Sequence, residues 1–92
     1  MISIVAKFVV NKGEEAKFLE LVTPLGIASR AAEGCIEYIL HKHVDAPRTY
    51  SMIEKWNDKA AVEFHNNTPH FTSTVPKIVE IAQVEVDVYE PV

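Results

Sequence analysis

The sequence predicts an α+β fold of order β-α-β-β-α-β with one extra short helix, and three observations carry that prediction. The chain opens on ISIVAKFVV, rich in β-branched residues, then passes through NKGEE into apolar residues spaced three and four apart. Two short apolar runs, CIEYILHKH and TYSMIEKW, flank VDAPR as the arms of a hairpin. A second, shorter helical segment precedes IAQVEVDVYE, where apolar and polar residues alternate.

Each element has its own signal. The first strand spans about 2 to 10, and NKGEE stops it. Asn11 can cap the following helix, with Glu14 as the reciprocal half of a capping box. Phe18, Leu21, Val22, Leu25, Ala28 and Ala32 form one stripe and predict a helix to about Ala32. Pro24 cannot donate to the carbonyl of Glu20, so a kink or local break is expected there, loosened further by Gly26. Gly34 ends the helical region. Strands follow at about 35 to 43 and 49 to 56. Asn57 or Asp58 caps a short helix that carries Ala60, Ala61, Phe64 and His65 and ends near Asn67, because Pro69 disfavours helical geometry at Thr68. A further helical stretch runs from Pro69 to about Val79, its regularity limited by Pro76. In the last strand Val84, Val86 and Val88 share one side and Gln83, Glu85 and Asp87 the other. This is the split, ferredoxin-like plan, in which helices cover one sheet face and leave the other open. Neither face of the first two strands reads as fully polar, so the open face is expected to meet a second subunit.

Composition narrows the function. One domain of 92 residues buries only about 60 to 65% of the surface of its unfolded chain, a small core that association would help. A net charge of −4 and scattered lysines offer no positive field for a nucleic acid backbone. Cys35 is the single cysteine, which fits a reducing compartment and supports neither a disulfide nor a cysteine metal cluster. Lys7 and NKGEE interrupt the opening apolar run before it makes a secretory segment, and no run reaches membrane-spanning length. The expectation is a cytoplasmic protein without nucleic acid or membrane partners.

The segment AVEFHNNTPHF holds the candidate chemistry. His65 and His70 do not form a complete zinc site, and their spacing is not that of a zinc-protease helix. His65, four residues after Ala61, falls near the face that meets the sheet, where an imidazole can relay a proton or bond a substrate oxygen; the plainer reading is a packed histidine. His70 can brace a loop or close a pocket mouth. Asn66 and Asn67 can cap the helix or touch a ligand. Tyr50, Met52, Glu54 and Trp56 share one side of their strand. A carboxylate among such neighbours must be paired or functional, since desolvating it is costly. Trp56 offers a flat apolar wall, Tyr38 a hydroxyl for a ligand or an interface, and Cys35 a small buried side chain. No phosphate loop or dinucleotide fingerprint is present.

Taken together, AAEGCIEYIL and YSMIEKWNDKAAVEFHNNTPHF resemble the antibiotic biosynthesis monooxygenase family, small proteins of the dimeric α+β barrel superfamily. The likeness covers nearly the whole chain and falls on Glu33, Gly34, Cys35, Tyr38, Glu54, Trp56, His65, Thr68, Pro69, His70 and Phe71. It implies a homodimer joined through sheet faces, with a pocket between sheet and helices in each subunit. It also implies oxidation of a quinol or polyphenol by dioxygen without a bound cofactor. On this reading His65 is the catalytic residue, taking or guiding a phenolic proton. Tyr38, Glu54, Trp56, Phe64 and His70 are the substrate contacts, with Trp56 and Phe64 shaping an aromatic slot. Two branches give rival expectations. The haem-degrading branch is disfavoured because its functional positions fall on Ala6, His65 and Val75, of which Ala6 donates no side-chain hydrogen bond and Val75 cannot ligate iron. A branch acting on a phosphorylated signalling sugar has a helix ending similar to FHNNTPH, which would make the protein isomerase-like. A non-catalytic small-molecule binder is the third reading.

Overall fold

The computed structural model describes residues 1–92. Its elements are β1 (Ile2–Val10), α1 (Glu15–Arg30), β2 (Cys35–Lys42), β3 (Thr49–Trp56), α2 (Lys59–Asn66), α3 (Pro69–Ile81) and β4 (Ala82–Tyr89), the order expected for the ferredoxin-like plan with an added helix. The sheet runs β2-β3-β1-β4, and its neighbouring strands are antiparallel throughout. No helix is long and apolar enough to cross a membrane.

Strand register decides what faces the helices. Ile2, Ile4, Ala6, Phe8 and Val10 of β1 and Tyr50, Met52, Glu54 and Trp56 of β3 are all buried on that side. Across the sheet Ile4 lies between Glu54 and Val88, and Ala6 between Met52 and Val86. In β2 the pairing shifts between Cys35 and Glu37, so Cys35 is opposite Trp56 while Tyr38 is opposite Glu54. The extra residue brings Cys35 and Tyr38 to one face, where strict alternation would have separated them. Phe18 of α1 stacks between Phe8 and Tyr50, with ring centroids 5.2 and 5.0 Å away, and Tyr50 donates its hydroxyl to Glu15 at 2.7 Å.

Several boundary details differ from the sequence reading. No side chain caps α1; Glu14 occupies the cap position, and its N–H donates to the Asn11 carbonyl instead. Gly13, at φ +86°, turns the chain there, so the Asn11 side chain does not reach the first helical turn. The helix ends at Arg30 rather than Ala32, and β2 ends at Lys42 rather than His43. Pro24 and Pro76 sit inside continuous helices on exposed faces, where water can satisfy the carbonyls that proline leaves unpaired. α3 runs on to Ile81 and enters β4 without a loop.

Candidate active site

The local sequence builds the site by ending one helix and starting the next within a few residues. Asp58 caps α2 by accepting from the Ala61 N–H at 2.9 Å. At the other end Asn67 Nδ2 donates to the Glu63 carbonyl at 2.7 Å, and Thr68 Oγ1 donates to that of His65, also at 2.7 Å. Pro69 then opens α3, where its missing N–H costs nothing. The motif FHNNTPH thus serves first as a double helix boundary that fixes the position of His65.

Above the sheet, α1, α2 and α3 leave a cavity of about 310 Å³. Its wall is mostly apolar: Ile4, Ala6 and Phe8 from β1, Met52 from β3, Val62 from α2, Phe71, Val75 and Ile78 from α3, and Val84, Val86 and Val88 from β4. Glu54, His65 and Asn66, with Tyr38, supply its polar groups. Apolar walls with a few placed polar groups are the usual form of a small-molecule site.

His65 is 1% exposed, and neither ring nitrogen has a hydrogen-bond partner. Aromatic rings hold it: Trp56 at a centroid distance of 4.5 Å, Phe71 at 5.0 Å edge-on and Tyr38 at 5.4 Å edge-on, with His70 at 6.3 Å. Burial, with a smaller contribution from His70, lowers the His65 pKa to about 4, so the ring is neutral at pH 7. Glu54 is also buried. Its Oε1 accepts from Trp56 Nε1 at 3.0 Å, and burial raises its pKa to about 7 against the pull of that bond. Burial, then the neighbouring Glu54 charge, keeps Tyr38 protonated well above the usual tyrosine range. The arrangement places a neutral base, a protonatable acid and a phenol around one indole ring.

The structure brings together Tyr38, Glu54 and His65 in the cavity wall. Trp56, expected as a wall of the slot, is fully buried behind it, against His65 and Glu54. His70 backs His65 without reaching the wall; its Nε2 is buried and unpartnered. Phe64 corrects the expectation of an aromatic slot. It is 65% exposed and lines an outer groove with Glu33, Gly34 and Ala61, because successive helical residues point about 100° apart and His65 takes the inward direction. Val62 and the β4 valines received no functional reading from the sequence; their apolar alternation is the same signal a plain core gives. Ala6 and Val75, matched to haem-branch positions, do line the cavity with His65, but neither supplies a ligand atom. No group of three or more His, Cys, Asp or Glu side chains is placed to hold a metal ion.

A four-stranded antiparallel sheet covered on one face by helices, with a mostly apolar pocket between the layers, defines a small α+β protein of the ferredoxin-like plan. Residues 1–77 match the family model described as antibiotic biosynthesis monooxygenase, and the chain belongs to that family. It is 39% identical over 88 residues to YcnE of Bacillus subtilis (strain 168), a protein provisionally named a monooxygenase, covering 96% of this chain and 93% of the relative. Among solved structures, a conserved protein from Methanosarcina mazei Go1 superposes with a TM-score of 0.95 at 27% identity, covering 99% of this chain and 92% of that one. PA3566 from Pseudomonas aeruginosa gives 0.90 at 29% identity, covering 99% and 93%. Family membership supports a general oxidoreductase role.

Proposed function

We propose that this protein is a cofactor-independent monooxygenase that oxidises a quinol or polycyclic phenol with dioxygen in the cavity between sheet and helices. The observation that carries the reading is His65, a neutral imidazole with both nitrogens free, in the wall of an otherwise apolar cavity. A phenol is hard to oxidise until its proton leaves, because the phenolate gives up an electron far more readily. His65 takes that proton. The phenolate then reduces dioxygen by one electron, and the radical pair joins at a ring carbon. Protonation of the peroxide gives a ring hydroperoxide, and the hydrogen on that carbon leaves together with the terminal OH as water, so one phenol and one dioxygen give one quinone and one water. The apolar wall orients the ring, and the bound ring displaces water from beside His65. Tyr38 contacts the substrate directly, while Trp56 and His70 hold His65 in place.

The phosphorylated-sugar reading loses support from the same wall. No lysine or arginine lines the cavity, and the chain's two arginines are engaged elsewhere: Arg30 Nη1 donates to the Tyr38 carbonyl and Arg48 Nη1 to that of Val10.

We also assign the open sheet face to a homodimer. Ile39, Ile53 and Val5 stand side by side in one cross-strand row there, which ends on Asp87 of β4, and Val9 and Tyr89 extend the apolar area. An antiparallel sheet that met only water would carry polar residues at those three central positions as well as at the edge.

Oxygen consumption with a panel of quinols and polycyclic phenols tests the oxidation, using ¹⁸O₂ to trace the incorporated atom. The expected result is uptake above autoxidation, with one labelled oxygen in the quinone and a loss of about 10²–10⁴-fold in His65→Ala. Panel members that bind but give no protein-dependent uptake would make the protein a non-catalytic binder.

A further inference from the structure

We infer that Glu54 is the acid of the reaction and gives its proton to the oxygen that leaves as water, so that the cavity pairs an acid with the base His65 around Trp56. The inference rests on the oxidation proposed above. Its ground is the placement of Glu54. The side chain is 6% exposed, lines the cavity, and makes a single hydrogen bond, from Trp56 Nε1 to Oε1 at 3.0 Å. Its cross-strand neighbours are Ile4 and Tyr38, and no lysine or arginine pairs with it. The other titratable groups around this end are Cys35 and Tyr38 on β2, His65 on α2 and His70 on α3. Arg30 on α1 spends a guanidinium N–H on the Tyr38 carbonyl. A carboxylate so placed has lost its hydration and gained one indole N–H, so packing alone would be better served by glutamine or methionine. What only the carboxyl adds is a proton it can give, and its raised pKa keeps that proton available near neutrality.

The indole also sets the geometry. One Trp56 side chain bonds Glu54 and stacks against His65, which aligns both groups to one end of the cavity. When the oxygenated ring carbon has formed, the proton that His65 took from the phenol passes to the terminal peroxide oxygen, giving a ring hydroperoxide. His65, neutral again, takes the hydrogen on that carbon as a proton. The C–H electron pair becomes the second bond of the new carbonyl, the O–O bond breaks, and the departing hydroxide takes the Glu54 proton to become water. The substrate is oxidised by two electrons in this step and the O–O bond reduced by two. Transfer of the proton from His65 to the Glu54 carboxylate resets the site.

The test compares wild type, Glu54→Gln and Trp56→Phe with 1-naphthol, whose conversion to naphthoquinone consumes one dioxygen and releases one water. Glu54→Gln is expected to bind 1-naphthol within about threefold of wild type and to turn over at least about 100-fold more slowly. Trp56→Phe removes the donor that favours the ionised carboxylate, so the alkaline limb of the kcat profile is expected to move to higher pH; loss of packing alone would lower kcat without moving that limb. Glu54→Gln turning over within about threefold of wild type, or a limb that stays in place in Trp56→Phe, would overturn the role of Glu54 and leave the oxidation standing. No turnover of any panel substrate by wild type would remove the oxidation reading and this one with it. Should Glu54→Gln fail to fold, the Trp56→Phe limb decides.

Discussion

Both ring nitrogens of His65 lie out of water with no partner, an arrangement that costs roughly 1–3 kcal/mol per unsatisfied group. A leucine there would fill similar space without that penalty. His65→Leu is therefore expected to keep or raise the melting temperature at pH 7 while losing oxidation, and a fall of several degrees would show the imidazole to be a structural part. The two shifted groups also pull stability in opposite directions. Below pH 6.5 the unfolded chain binds a proton that folded His65 refuses until about pH 4, so its contribution falls as pH drops through that window. Folded Glu54 keeps its proton up to about pH 7 while the unfolded carboxyl releases it near 4.5, so stability falls as pH rises between them. Each slope is up to about 1.4 kcal/mol per pH unit, and they oppose each other from 4.5 to 6.5. Relative to wild type, urea midpoints of Glu54→Gln should fall on acidification from 7 to 4.5 and those of His65→Leu should rise from 6.5 to 4. Variants parallel to wild type would mean that neither group is shifted. The inward direction of His65 was legible because Ala61 and His65 are one helical turn apart. Its lack of a partner was not, since the rings around it come from β2, β3 and α3.

The elements themselves were legible wherever periodicity was long: all four strands, the α1 stripe and the α2–α3 boundary appear in the sequence within a few residues. What the sequence hid were features fixed by a neighbour. The irregularity in β2 depends on how that strand pairs with β3, and the unbroken helices at Pro24 and Pro76 depend on those residues facing water. Gly34 shows both sides. Its role as a helix terminator was readable, yet its second constraint is tertiary: at φ +85° a Cβ there would lie 2.6 Å from the Ala61 Cβ. That contact sets how closely α2 approaches the start of β2, and through α2 the position of His65. Gly34→Ala should cost about 2–4 kcal/mol in urea unfolding, from the left-handed backbone and the crowding together. Measured against Ala61→Gly alone, which carries its own helix cost of about 0.5–1 kcal/mol, Gly34→Ala should then cost only about 1–2 kcal/mol. The same cost in both backgrounds would mean that α2 moves aside freely.

At the scale of the molecule, layer order followed from the element sequence, but whether the layers enclosed space did not, because apolar alternation describes a filled core and a cavity equally well. The sheet face without helices is the other feature that belongs to this scale. Its central row, Ile39, Ile53 and Val5, is flanked by charges: Lys55 Nζ lies 3.8 Å from Glu37 Oε2, and Lys7 faces Glu85 across the β1–β4 pair. An apolar centre with both charge signs at its edge can meet a copy of itself about a two-fold axis, since each cation finds an anion on the partner. Ile53→Asp places a carboxylate in the middle of that row without touching the cavity, which lies on the opposite side of the sheet. Sedimentation velocity at micromolar concentration is expected to show a dimer for wild type and a monomer for Ile53→Asp, with 1-naphthol binding retained in the monomer. A monomeric wild type would leave the apolar row without a function. A dimeric Ile53→Asp would place the interface away from this row.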